Sequence, residues 1–303
     1  MSRRRSWATG SRTSPKINAR RIAAGCCLAL ALAATAGAAN QATDEILVVR
    51  GSNLVVLTSS GADVRNLTQR GWQIHSASWS PNGRRIAFTA NAPAEPDPEL
   101  FTMAADGSGI RRLTDNQLSE THPTWSPDGR RIAFSSARTG FFQIWTVPSS
   151  GGRARRLSHQ TEDCYEPAWA PTGRWVVYAC EVAYRTLVIA RPDGRGEHRL
   201  TRHGRLSEAD PAWTPDGRWI IFVRDRTRPA GRGIFSIRPN GTGLRRLIPF
   251  GGEPAVSPDG RRIVFIQPDA VDNELWIASR NGAGPRALTN NELAEGDPSW
   301  RPR

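Results

Sequence analysis

Lysine is all but missing from this 303-residue chain: of its 41 basic side chains only Lys16 is a lysine. A lysine nucleophile is therefore excluded from any product that loses its first residues. There is no G-x-S-x-G, no H-E-x-x-H and no phosphate loop, so the familiar serine-hydrolase, zinc-protease and P-loop chemistries have no footing. Cysteine is scarce, and beyond the N-terminal segment only Cys164 and Cys180 remain. No stretch after Ala39 keeps a helical period. Acids are absent from the first 39 residues, which hold seven bases.

That N-terminal segment reads as an export signal. Arg3, Arg4, Arg5, Arg12, Lys16, Arg20 and Arg21 form a basic region, Ile22 to Ala33 an apolar run, and small residues follow to Ala39. Ala36-Gly37-Ala38 is the preferred cleavage motif, with Ala34-Thr35-Ala36 as a second fit. Residues 1–39 are thus expected to be a secretory signal and the protein to be periplasmic or otherwise exported. An uncut signal, Ile22–Ala39, would give the only membrane attachment, and at 18 weakly apolar residues it is marginal for a span. Cys26 precedes the apolar run, where a lipidation cysteine would follow it, and Arg4-Arg5 lies too far upstream for a twin-arginine signal. Without residues 1–39 the net charge falls from +13 to about +6, with 34 arginines against 28 acids. The arginines sit beside Asp-Gly turns and not in one run. This predicts a solvated surface of mixed charge and no nucleic-acid partner.

One phrase recurs through the rest of the chain. It reads SWSPNGRRIAF at Ser78–Phe88, TWSPDGRRIAF at Thr124–Phe134, AWAPTGRWVVY at Ala168–Tyr178, AWTPDGRWIIF at Ala212–Phe222 and AVSPDGRRIVF at Ala255–Phe265. PSWRPR ends the chain. The anchors Trp79, Trp125, Trp169, Trp213, Val256 and Trp300 are separated by 46, 44, 44, 43 and 44 residues. A period in the forties with several short strands per unit predicts an all-β propeller. In each unit a first strand ends at the anchor and a Pro-Asp-Gly-type turn follows. A second strand, apolar on both faces, comes next, as in Ile132–Ser135. A third strand such as Gln143–Pro148, a Gly-rich turn and a short fourth strand closing on Leu-Thr complete the unit.

Glu45–Arg50, Asn53–Thr58 and Val64–Thr68 supply three strands without a first, and Pro298–Arg301 supplies a first strand alone. Together they predict a sixth blade and a ring closed by the C-terminal strand, which removes exposed edges. The predicted domain spans 44–303: six four-stranded antiparallel blades.

WSPDGRRIAF, an apolar third strand, Gly-Gly and an arginine-rich Leu-Thr together resemble the WD40-like repeat of the TolB family, from Glu45 to Arg303. The resemblance implies an exported, protein-binding module, with an envelope lipoprotein of the Pal type as the kind of partner that family's propeller takes. The family carries an α/β domain between signal and propeller, whereas here the first strand begins within a few residues of the signal. No hydrolase domain is expected after the ring.

Three residues before the anchors stand Ser76, His122, Glu166, Asp210, Glu253 and Asp297, five of them just before proline. They are expected at one mouth of the central channel. Four converging carboxylates repel, and a cation or basic group would relieve them. Three readings stay open: acids that accept loop amides or hold channel water, a basic or polar ligand, and a metal. Oxygen ligands would favour Ca²⁺ or Mg²⁺ over zinc; no other cofactor is expected. The loops Asn91–Glu99, acidic, and Asp225–Arg232, basic, should flank that mouth. His75, His159, His198 and His203 lack metal-ligand spacing and read as loop residues; Trp72, Trp175 and Trp219 read as packing groups. Cys164 and Cys180 lie symmetrically about the Pro171-Thr172-Gly173 turn, where cross-strand partners come within disulfide reach in an oxidising compartment.

The expected function is a monomeric, non-enzymatic scaffold that binds a protein or envelope partner through the channel-mouth face. The alternative is a hydrolase or lyase acting on a small polar or carbohydrate ligand there, although no residue is singled out as acid or base.

Overall fold

The computed structural model describes residues 44–68, 71–181, 183–202, 206–226, 232–268 and 272–302. The expected signal, His203 and part of the loop before Arg232 lie outside them. The described residues form six four-stranded antiparallel sheets and no helix. Blade two shows the pattern: Gln73–Trp79, Arg85–Asn91, Glu99–Ala104 and Arg111–Arg112 run as a meander from the axis outward. Blades three to six repeat it, and their first strands touch in a closed circle. Blade one is composite. Glu295–Trp300 pairs antiparallel with Glu45–Arg50, placing Trp300 opposite Ile46 and Ser299 opposite Leu47. The ring therefore closes as the sequence implied.

Each boundary between blades holds its own apolar cluster, six in all among the described residues. Along Glu45–Arg50, Leu47 and Val49 join the cluster facing blade two, while Ile46 and Val48 join the one facing blade six. Successive strand residues point to opposite faces, so a strand covered on both sides must be apolar throughout.

The recurring polar residues close the turns. Ser80, Ser126 and Ser257 each accept, at 2.9 Å, the amide five residues on, and Thr214 does so at 3.1 Å. Ser126 Oγ also donates to Asp128 at 2.6 Å, so Ser-Pro-Asp-Gly is a hydrogen-bonded turn and not merely a polar one. The Leu-Thr hydroxyls cap the third strands: Thr114 accepts from Leu100 N at 2.8 Å and Thr289 from Leu275 N at 2.9 Å.

Cys164 stands opposite Cys180 across the first pair of strands in blade four, with Cα atoms 4.1 Å apart and sulfurs joined. We expect protein recovered from an oxidising compartment to carry this bond. Mass spectrometry of non-reduced protein should find no alkylatable thiol at either position; two alkylated thiols would show that the pair stays reduced in its own compartment.

Candidate functional site

All six first strands contain a β-bulge, and in five of them the residue that opens it has a left-handed backbone. The φ values are 51° at His122, 59° at Glu166, 51° at Asp210, 48° at Glu253 and 50° at Asp297. Such values are uncommon outside glycine and cost about 1–3 kcal/mol each. The following proline explains how the bulge is tolerated. It has no N–H, so the interrupted ladder leaves no donor without a partner. The bulge turns the five side chains into the central channel, where they line a cavity of about 870 Å³ with Pro123, Pro167, Pro211, Pro254 and Pro298.

Ser76 departs from the expectation. No proline follows it, and its bulge falls one residue earlier, between Ile74 and Ser76. Its side chain is buried in blade two, bonded to Thr89 Oγ at 2.6 Å; His75 and Ala77 take its place along the cavity.

The side chains form a chain of hydrogen bonds from blade to blade. Ser76 Oγ accepts from His122 N at 2.9 Å, and Glu166 Oε2 accepts from Asp210 N at 2.7 Å. Asp210 Oδ2 accepts from Glu253 N at 3.2 Å, Glu253 Oε2 from Asp297 N at 2.6 Å, and Asp297 Oδ2 from Ala77 N. Five of the six boundaries are spanned this way. The sixth, between blades three and four, is not: among the described residues His122 Nδ1 is buried with no hydrogen-bond partner. Each carboxylate thus holds the amide of the next blade, which realises the amide-accepting reading of the ring.

Burial pushes the carboxyls up first, and their neighbours push further. Asp210 rises to about 7, with Glu166 adding repulsion; Glu253 rises to about 7, with Asp210 adding to it. Asp297 is pushed up to about 8, its Ala77 hydrogen bond opposing and Glu253 reinforcing the burial effect. Glu166 also rises through burial, against the pull of Arg185 at 3.0 Å. Burial lowers His122, so its imidazole is neutral at pH 7. The ring therefore holds protons near neutrality, and Arg185 already supplies part of the basic relief the charges call for.

The Ca²⁺ or Mg²⁺ reading gains no support from this geometry. One oxygen of each carboxylate is spent on an amide, and no group of three or more His, Cys, Asp or Glu among the described residues could hold a metal ion. The other histidines are dispersed: His75 bonds Asn91 at 2.5 Å, His198 bonds Gly196 O at 2.8 Å, and His159 is exposed. Trp72 packs edge-on against Phe88 and Phe101, as a core group should.

Sequence reasoning overlooked a second acidic layer. Glu120, Glu208 and Glu295, two residues before ring positions, are buried and paired with Arg138, Arg224 and Arg50. Glu208 and Glu295 also take the amides of Leu187 and Leu275 at 3.3 and 3.0 Å. The repeated Glu two places before the ring residue was the available signal.

Comparison with known proteins agrees with this architecture. TolB from Acinetobacter baumannii superposes with a TM-score of 0.77 at 19% identity, covering 86% of this chain and 67% of that one. A putative TolB from Agrobacterium tumefaciens gives 0.70 at 22% identity, covering 83% and 90%. An oligogalacturonate lyase from Vibrio parahaemolyticus gives 0.59 at 16% identity, covering 82% and 74%. At these identities the likeness is one of fold. No curated protein matches the chain significantly. Residues 49–248, however, match the family model of the TolB beta propeller domain, PD40. The chain belongs to the TolB β-propeller family.

Proposed function

We propose that this protein is an exported, non-enzymatic scaffold that binds a protein partner of the cell envelope through its channel-mouth face. One observation carries the reading: three exposed apolar side chains stand on loops at the blade ends where the acidic channel opens. Leu118, Phe141 and Leu293, in loops at the mouth end of their blades, are 39, 56 and 53% exposed. An apolar anchor beside a charged pocket suits a protein partner that brings a basic group to the ring. An envelope lipoprotein of the Pal type is the candidate that family membership suggests. An enzyme needs a positioned acid and base, and here each of the four ring carboxylates has one oxygen engaged by a neighbouring blade's amide.

The test is capture of partners from the organism's own envelope fraction, identification by mass spectrometry, and measurement of affinity with the purified partner. Phe141→Ser with Leu293→Ser should weaken that complex at least about tenfold while leaving the melting temperature unchanged. An unchanged affinity would remove the mouth face as the binding surface, and turnover of a sugar or peptide substrate would favour the enzyme.

A further inference from the structure

In blades two to six the end opposite the channel mouth is built from two tight turns, one joining strands one and two, the other strands three and four; in blade one the two ends of the propeller chain replace the first of these. Turns of consecutive blades abut: Gly129 lies against Pro81, Gly173 against Pro127, Gly217 against Pro171 and Gly260 against Pro215. Arginines that are scattered in sequence therefore converge in space. These turns (44, 58–63, 80–85, 104–111, 126–131, 148–155, 170–175, 190–198, 214–219, 237–245, 257–262, 279–286 and 301–302) carry eighteen arginines against eight carboxylates. The remainder of residues 40–303 carries sixteen arginines against twenty carboxylates. The turn end therefore carries ten more arginines than carboxylates.

Arg130, Arg174, Arg218 and Arg261 follow the turn glycines and are exposed. Their amides bond to the turn's own Asp or Thr, and the guanidinium groups are not used for that. Aromatic rings lie among the arginines. Trp219 sits between Arg238 and Arg245, at 5.2 and 5.5 Å, and Trp175 lies under Arg191 at 5.9 Å. Two hollows open between paired turns. One of about 450 Å³ is lined by Arg218, Trp219 and Arg238, the other, of about 490 Å³, by Arg261 and Arg280. Ile110 and Leu244 are exposed on the same turns.

The chain also enters the propeller at this end. Asp44 is fixed there by Arg262 at 2.8 Å and by the amide of Ser59 at 3.0 Å. The apolar run Ile22–Ala39 and its seven bases lie just upstream.

We propose that the arginine face docks on the anionic surface of a lipid bilayer, leaving the acidic channel mouth pointing away from the membrane. Guanidinium groups pair bidentately with phosphate oxygens, and half-buried tryptophans with exposed aliphatic side chains suit the headgroup level. The arginines spread over five blades around the axis. That arrangement matches a plane, whereas a linear polyanion calls for a stripe.

The full chain is sedimented with vesicles of phosphatidylcholine alone and with phosphatidylglycerol added. Neutral vesicles read the apolar run alone. Anionic vesicles should bind at least about tenfold more tightly, and added salt should abolish the difference. Arg130→Gln, Arg174→Gln, Arg218→Gln and Arg261→Gln combined should remove most of that preference at an unchanged melting temperature. Arg202→Gln, exposed at the opposite end, should bind as the parent does. If the quadruple variant misfolds, the pairs Arg130/Arg174 and Arg218/Arg261 are read separately. A folded variant that binds anionic vesicles like the parent overturns the proposal, as does a parent indifferent to lipid charge. Binding to heparin without binding to vesicles would assign the face to a soluble polyanion instead.

Discussion

Deletion of Pro298–Arg303 is expected to abolish cooperative unfolding. Trp300 is 6% exposed and fills the cluster between blades six and one, against Ile46, Val48, Val264 and Leu275. Its Nε1 donates to Ala255 O at 3.2 Å. Arg301 continues the closure: its amide donates to Glu45 O at 2.8 Å, and its guanidinium lies 5.0 Å from the Trp79 ring centre. Truncating one buried tryptophan costs about 3–5 kcal/mol. The deletion adds lost ladder bonds and turns Glu45–Arg50, apolar on both faces, into an open edge. Against a typical margin of about 5–15 kcal/mol, little stability is left. Near-ultraviolet circular dichroism should show no sigmoidal melt, and light scattering should rise. Trp300→Ala alone should remain folded at a lowered midpoint. A truncated chain that melts like the parent would show that the ring does not depend on its closing strand.

The closure was legible because the two fragments at the chain ends complement each other in a pattern stated without interruption by the whole blades between them. The ring positions were legible for the same reason: counting back from Trp125, Trp169, Trp213, Val256 and Trp300 finds five residues before proline, and all five line the channel. Their strain was not legible. A left-handed residue before proline contradicts local preference and is fixed by tertiary hydrogen bonds that cross blade boundaries. Ser76 was misplaced because counting assumes a constant register, and blade two moves its bulge by one residue. The basic turn end was hidden for a third reason. Arginines spaced along the chain read as dispersed until the meander folds each alternate turn to one end.

The double variant Asp210→Asn with Glu253→Gln should be more stable than the parent at pH 9 and close to it at pH 5. Both carboxyls have folded pKa values of about 7, raised from ordinary values of 3.8 and 4.5. Between these limits the folded state binds more protons than the unfolded one, so stability is full at the acid end and falls as pH rises through 7. Asp297, raised to about 8, extends the decline to higher pH. Every tenfold gain in proton affinity on folding corresponds to about 1.36 kcal/mol, but the ring opens onto channel water that screens part of it. A loss on the order of 3 kcal/mol for the pair between pH 5 and pH 9 is a reasonable scale. Both amides keep an oxygen able to accept the Glu253 and Asp297 amides, so the blade-to-blade chain survives while the repulsion goes. Denaturant melts of both proteins at the two pH values measure the effect directly. A parent equally stable at pH 5 and pH 9, or a double variant less stable than the parent at pH 9, would mean that the ionised ring is held by a compensating cation. The ring would then be a charged binding site already satisfied, and the repulsion argued from its geometry would not be what a basic partner relieves.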